Sequence, residues 1–128
     1  MKKIEPKNLT SISAHGDVRM TFIPHLVPMN RGICATIYVD CVKDFDSYDL
    51  FKSFYKGETH VEVMTKEKWP ETKSVKGTNT CRISVYKSND SNKLVVLSVL
   101  DNLIKGAAGQ AIQNMNIMMN WAEDLGLN

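Results

Sequence analysis

Leu100-Asp-Asn-Leu-Ile-Lys-Gly-Ala-Ala-Gly-Gln-Ala-Ile-Gln-Asn-Met-Asn116 decides how this chain is read. The apolar run Leu94 to Leu100 stops at Asp101-Asn102, and a helical pattern follows: Ile104, Ala108, Ala111, Ile112, Met115, Met119 and Ala122 step by three and four. A buried strand therefore feeds a helix. Gly106 and Gly109 fall in its first turns, where each glycine costs roughly 1 kcal/mol against alanine. Two explanations stay open. A ligand or a second backbone comes very close, or the helix packs tightly through the small face Gly106-Ala107-Ala108-Gly109. The start of a helix also offers unpaired N–H groups and a partial positive charge. Gln110, Gln113, Asn114 and Asn116 continue the polar side, and uncharged amides suit a neutral hydrogen-bonding group.

Upstream, Lys93–Leu100 is joined by the polar turn Ser88–Asn92 to another strand, Val75 to Tyr86, with Cys81, Ile83 and Val85 on one face and Arg82, Ser84 and Tyr86 on the other, so the two form a hairpin. Ile33 to Val42 alternates, with Ile33, Ala35, Ile37, Val39 and Cys41 on one face and Cys34, Thr36, Tyr38 and Asp40 on the other. That is a half-buried strand. Asp44 and Asp46 cap a short helix whose stripe is Tyr48, Phe51, Phe54 and Tyr55, ended by Gly57. His60 to Met64 is a short strand, Val18 to Ile23 another, and residues 4–14 a weak helix. Pro24 and Pro28 make the segment after Ile23 a stiff, extended bend, because neither can donate to a ladder. Trp69 is exposed or tucked against a neighbour in a polar connection, and Met115, Met118 and Met119 read as core or subunit contact. The order predicts an α+β domain: a mixed, largely antiparallel sheet with helices on one face.

Composition narrows the function classes. The chain has 128 residues, enough for one domain and a core without staples. Its net charge of +2 has no basic block, so a nucleic-acid surface is not expected. No stretch approaches a membrane span, and Met-Lys-Lys leads into no apolar segment, so neither a membrane nor a signal peptide is expected. Three cysteines without metal-ligand spacing fit a cytoplasmic, reduced protein with no metal. Cys34, Cys41 and Cys81 lie on strands, away from the helix start or cationic neighbour that a catalytic thiolate prefers. His25 and Arg31 share the stiff bend. They suit an anionic substrate, because Arg presents a planar fork to carboxylate or phosphate, or they are a surface arginine and a histidine bonded within the bend. A glycine-rich dinucleotide turn belongs at a first strand–helix junction. Gly106 to Gly109 comes last instead, so no Rossmann domain is expected within residues 1–128.

Two long segments then carry a resemblance. Phe22-Ile-Pro-His-Leu-Val-Pro-Met-Asn-Arg-Gly-Ile33 and Leu100 to Asn116 look like the C-terminal domain of N-acetyl-gamma-glutamyl-phosphate reductase, and Val75-Lys-Gly-Thr-Asn-Thr-Cys-Arg-Ile83 resembles that family's stretch before its hairpin. The likeness covers roughly residues 8–127. It implies a semialdehyde-dehydrogenase-type substrate and dimerisation domain, built like the C-terminal domains of glyceraldehyde-phosphate and aspartate-semialdehyde dehydrogenases. An N-terminal Rossmann domain would bind NADP. A cysteine would attack the acyl phosphate, and the thioester would take hydride to give N-acetylglutamate semialdehyde, in arginine biosynthesis. The resemblance places His25 and Arg31 on the substrate side. It places Gly106, Gly109, Gln110 and Asn114 near the nicotinamide. The family's Pro-Gly-Cys nucleophile and His-x-His-x-Pro-Glu acid/base motif have no counterpart here. The chain is therefore expected to carry no catalytic residue, to bind no cofactor alone, and to be inactive alone. It would self-associate, as a dimer, and work with a Rossmann domain or split-enzyme partner. The alternative is a stand-alone, self-associating remnant without chemistry.

Overall fold

A computed structural model describes residues 20–42, 44–87 and 92–127. Its frame is a four-stranded sheet in the order β1-β4-β3-β2, formed by β1 (Ile33–Asp40), β2 (Val61–Val63), β3 (Cys81–Lys87) and β4 (Lys93–Leu100). The apolar strand β4 pairs antiparallel with β1 on one side and β3 on the other, and β2 runs parallel to β3. The expected hairpin is therefore β3–β4. The sheet is mixed and largely antiparallel.

Register fixes what shares a face. Ile33, Ala35, Ile37 and Val39 stand beside Leu100, Ser98, Val96 and Leu94. On β3 the same row continues through Val85 and Ile83. The core sits on this face: Ile83, Leu94 and Val96 are buried, with Phe45, Phe51, Tyr55, Val61, Cys81 and Val85 packed against them. Burying each such side chain contributes roughly 1.5–3 kcal/mol. Helix α1 (Ser47–Phe54) supplies the cover. Asp46 is its N-cap and accepts from Asp49 N at 3.0 Å, while Asp44 is not a cap and pairs with Lys87. Phe54 leaves the expected stripe, exposed with its ring edge-on to Tyr55. Trp69 is exposed and lies 6.5 Å from Tyr86, centroid to centroid.

After β4 comes a wide π-helical turn, Ile104–Ala108, and then α2 (Gly109–Met118). Its Gly106 lies beside Ile33 and Leu100, so both helical regions sit on the same face of the sheet. The regular helix expected from residue 104 instead begins with i to i+5 bonds, Gly106 N to Asp101 O at 2.8 Å and Ala108 N to Leu103 O at 3.3 Å.

Three further expectations change. Met20 to Ile23 is exposed and irregular rather than a strand. The expected strand from Val75 starts only at Cys81. Before it lie a 3₁₀ turn, Thr72–Ser74, and a loop whose Gly77 has φ +79, a conformation that glycine tolerates. Side chains hold that loop locally, with Ser74 Oγ donating to Glu71 O and Thr78 Oγ1 to Val75 O. Finally, β1 is not half-buried: every residue except Ala35 is exposed, on both faces. The expected helix over 4–14 lies outside the described residues, as do Val18, Arg19 and most of the turn at 88–92.

Candidate functional site

The junction where β4 meets the π turn brings together two of the residues singled out from sequence, Arg31 and Gly106, around one that was not. Asp101 is fully buried. Its carboxylate accepts five hydrogen bonds: from Arg31 Nε at 3.2 Å, Arg31 Nη2 at 2.5 Å, Gly77 N at 2.6 Å, Leu103 N at 2.8 Å and Ile104 N at 3.2 Å. The last two are the pattern of an N-cap, so the residue that stops the apolar run also caps the turn after it. Burial pushes the Asp101 carboxyl up. The Arg31 guanidinium and the amides of Gly77, Leu103 and Ile104 outweigh it and hold the group well below the usual carboxylate range.

A carboxyl group depressed in the folded state stabilises the fold fully above its unfolded value, near 3.8. That contribution is lost as pH falls from there toward the folded value. The expected result is a melting temperature that is flat near pH 6 and declines below about pH 4. Asp101→Asn should melt lower at pH 6 and decline less steeply in acid. Parallel curves for the two proteins would show that Asp101 is not held ionised by the fold.

Asn102 works on the same segment. Its Oδ1 accepts from Gly32 N at 2.7 Å and its Nδ2 donates to Asn30 O at 3.4 Å. Gly32 has φ +109, and a side chain there would strike Thr72. The bend carrying Arg31 is thus stapled to the end of β4. His25 is not brought to this junction: it is exposed, with Nδ1 bonded to Ile23 O at 3.1 Å.

On the helix side, Gly106 is exposed and Gly109 buried. The close approach at Gly109 is to this chain's own Asn79, whose Oδ1 lies where a β-carbon would stand. Gln110 Nε2 donates to Asn114 Oδ1 at 2.9 Å, with Asn114 exposed. A polar network lies behind. Gln113 Oε1 accepts from Asn79 Nδ2 at 2.9 Å and from Lys105 Nζ at 2.6 Å, and Gln113 Nε2 donates to Glu123 Oε1 at 2.5 Å. Asn116 Nδ2 reaches the carbonyls of Glu123 and Leu125. Burial lowers the Lys105 pKa, opposed by Cys81, Glu123 and Glu58.

This network inverts the helix. The buried residues of α2 are Gly109, Gln113 and Asn116, while Ile112, Met115, Ile117 and Met118 are exposed, and Met119 just after it. The methionines are not core in this chain. Sequence reasoning missed Asp101, Asn102 and Asn79 as site residues. Only Asp101 carried a readable signal, a capping residue at the end of an apolar strand.

Other chemistry is sparse. Cys34 is exposed, Cys41 and Cys81 half-buried, and all three are free. Among the described residues no three metal-ligating side chains gather, and no helix is long and apolar enough to cross a membrane. A groove of about 580 Å³, lined in part by Phe45, Tyr48, Lys66, Trp69 and Tyr86, opens at the opposite end of the sheet.

Comparison with known proteins agrees with this layout. The family model for the semialdehyde dehydrogenase dimerisation domain matches residues 4–102. The chain is 50% identical over 125 residues to the N-acetyl-gamma-glutamyl-phosphate reductase of Ruthia magnifica subsp. Calyptogena magnifica, covering 98% of the chain and 36% of that protein. It is 54% identical over 110 residues to the reductase of Laribacter hongkongensis, covering 86% of the chain and 32% of the relative. The Pseudomonas fluorescens reductase is 50% identical over 117 residues, covering 91% and 34%. The chain thus spans about a third of the length of these relatives. With this α+β sheet and a matched region of 99 residues, the chain belongs to the semialdehyde dehydrogenase dimerisation-domain family.

Proposed function

We propose that this chain is the substrate-side and self-association part of an NADP-dependent N-acetyl-gamma-glutamyl-phosphate reductase, completed by a cofactor domain that docks on α2. One observation carries the reading: α2 turns its polar face to its own domain and its apolar face outward. Ile112, Met115 and Met119 follow each other at three- and four-residue spacing, one stripe of the helix. An exposed apolar stripe on a helix that is polar inside needs an apolar partner. β1 adds a second uncovered surface. Tyr38 is 71% exposed on the sheet face away from α1, beside Val95 and, one strand further, Tyr86. We assign this face to a second copy of the chain.

The roles of the chain's own residues follow. Arg31, and more loosely His25, receive an anionic group of the acyl phosphate. Of the dinucleotide, the helix start suits only the carboxamide end. Gln110 and Asn114 offer amide donors and acceptors there, and Gly106 leaves room; nothing else among the described residues is built to cradle a pyrophosphate. NADPH would supply the hydride. The chain alone would show no turnover, since none of its cysteines stands at a helix start in the described structure.

Two variants separate the surfaces. In sedimentation the chain should be a dimer at tens of micromolar, about the range where weak interfaces fail. Tyr38→Glu should shift it to monomer. Met115→Glu should leave the dimer intact but abolish NADPH-dependent turnover when the chain is mixed with the part of the Ruthia magnifica reductase outside the matched segment. A clean monomer for the parent chain would remove the self-association role. Turnover by the mixture that is indifferent to Met115→Glu would remove the docking role.

A further inference from the structure

We infer that Asp101 and Asn102 are positioning residues that fix Arg31 with the end of its guanidinium, the Nη1–Nη2 edge, presented to an oxyanion. The inference rests on the proposed substrate role of Arg31 and specifies how that residue binds.

Arg31 is held twice. Asn102 bonds the backbone on both flanks, at Asn30 O and Gly32 N. Asp101 takes the side chain in two parallel bonds, Nε to Oδ1 and Nη2 to Oδ2. A bidentate carboxylate sets the plane and direction of a guanidinium, not only its distance. Arg31 has no remaining freedom to swing toward a ligand, and its Nε–Nη2 side is taken. What remains is the Nη1–Nη2 end, two N–H groups of Nη1 and the second of Nη2, with no further hydrogen-bond partner among the described residues, on a side chain 29% exposed.

Asp101 itself cannot be the contact. Its two oxygens already accept five bonds and the residue is inaccessible to solvent, so it neither binds a ligand nor serves as a base. Its backbone carbonyl also receives Gly106 N at 2.8 Å. One residue therefore registers the donor on the bend against the exposed turn at Gly106. The ligand class is a small oxyanion, phosphate or carboxylate, bound at the free Nη1–Nη2 end of the guanidinium.

Arginine side-chain NMR on the labelled full chain tests this, with inorganic phosphate as the probe. Arg82 is the internal reference, because Glu62 holds its Nε at 2.6 Å and Ser74 O takes its Nη1 at 3.1 Å. The expected result is two resolved Nη resonances for Arg31, reporting slow rotation, with phosphate moving the Nη signals and leaving the Arg31 Nε signal and Arg82 still. Asp101→Asn should merge the two Nη signals and abolish the phosphate response. Asn102→Ala, which keeps the carboxylate pair, should keep the Nη signals resolved but weaken the response severalfold. Merged Nη signals in the parent chain would overturn the inference. So would a phosphate response shared equally by Arg82, or absent from Arg31. These readings need no variant, so they stand if Asp101→Asn fails to fold. They are also independent of dimerisation and of turnover in the mixture: a dimeric, complementing chain with a freely rotating Arg31 sinks this inference alone.

Discussion

Asp101→Ala should remove a large part of this domain's stability, more than any other single change at the junction. Removing the carboxylate strands the Arg31 guanidinium and the N–H groups of Gly77, Leu103 and Ile104 at a junction that water does not reach on the Asp101 side. Removing one partner of a buried, hydrogen-bonded ion pair costs about 3–5 kcal/mol. A domain holds only about 5–15 kcal/mol in total. The two partners are not equivalent. Arg31→Met leaves Asp101 three backbone donors, so its carboxylate stays solvated by the chain. That variant should lose roughly 1.5–3 kcal/mol, the range for hydrogen bonds to a charged group. An exposed pair provides the baseline. Lys73 and Glu71 are 82% and 57% exposed at the side chain, and Glu71→Gln should change stability by less than about 1 kcal/mol. Urea unfolding of the three variants gives the ranking directly. Asp101→Ala within about 1 kcal/mol of the parent, or Arg31→Met the more damaging of the two, would mean the carboxylate is not the hub.

Much of the frame was legible because it rests on local periodicity. Ile33 to Val39 alternates, and β1 forms with that alternation across the sheet. The polar run after Tyr86 turns β3 back on β4. Asp46 sits three residues before the N–H it caps. What escaped was set by contacts distant in sequence or by the absence of a partner. Arg31 and Asp101 are 70 residues apart, so an arginine that looks available on a stiff bend already has one side of its guanidinium committed. Val75 to Thr80 reads as the start of a strand only by extension from the alternating Cys81 to Tyr86; Gly77 donates to Asp101 and the segment turns. For α2, periodicity shows which residues share a face but not which face meets this domain. Ile112, Met115 and Met119 read as a core stripe, and the stripe that is buried is Gly109, Gln113 and Asn116. The π turn was hidden for a related reason: the residue types that favour i to i+5 bonds over one turn are those that favour a helix.

Gly109→Ala should lower the melting temperature clearly and Gly106→Ala hardly at all, although the two glycines lie three residues apart in one helical region. At Gly109 a β-carbon would land on Asn79 Oδ1, and would come within 2.8 Å of Ile104 Cγ2 and 2.9 Å of Ile104 O. None of these can withdraw cheaply. Asn79 is fully buried and tied through Nδ2 to Gln113, and Ile104 O accepts the Gly109 N–H itself. Overpacking of this kind costs about 1–3 kcal/mol, and two crowded neighbours put it at the upper end, beyond the roughly 1 kcal/mol that alanine gains in a helix. The melting temperature should fall, by roughly 3–6 °C per kcal/mol lost at this chain length. At Gly106 the neighbours are Leu100 Cδ1 at 3.1 Å, Asp101 O at 3.3 Å and Ile33 Cδ1 at 3.5 Å. Two of them are mobile side-chain ends, so small shifts absorb the methyl and the helix gain nearly offsets the crowding. Gly106→Ala should melt within a few degrees of the parent. The Gly106 backbone is itself exposed, so the shifts that absorb the inward-pointing methyl would be felt by a docked cofactor domain. In the mixture with the rest of the Ruthia magnifica reductase it should raise KM for NADPH or lower turnover, while the fold holds. Asn79→Ala should recover part of the Gly109→Ala loss, because it removes the atom that the methyl strikes. A Gly109→Ala chain as stable as the parent, or more so, would show that Asn79 does not hold that place, and would leave the glycine to be explained by something outside this chain.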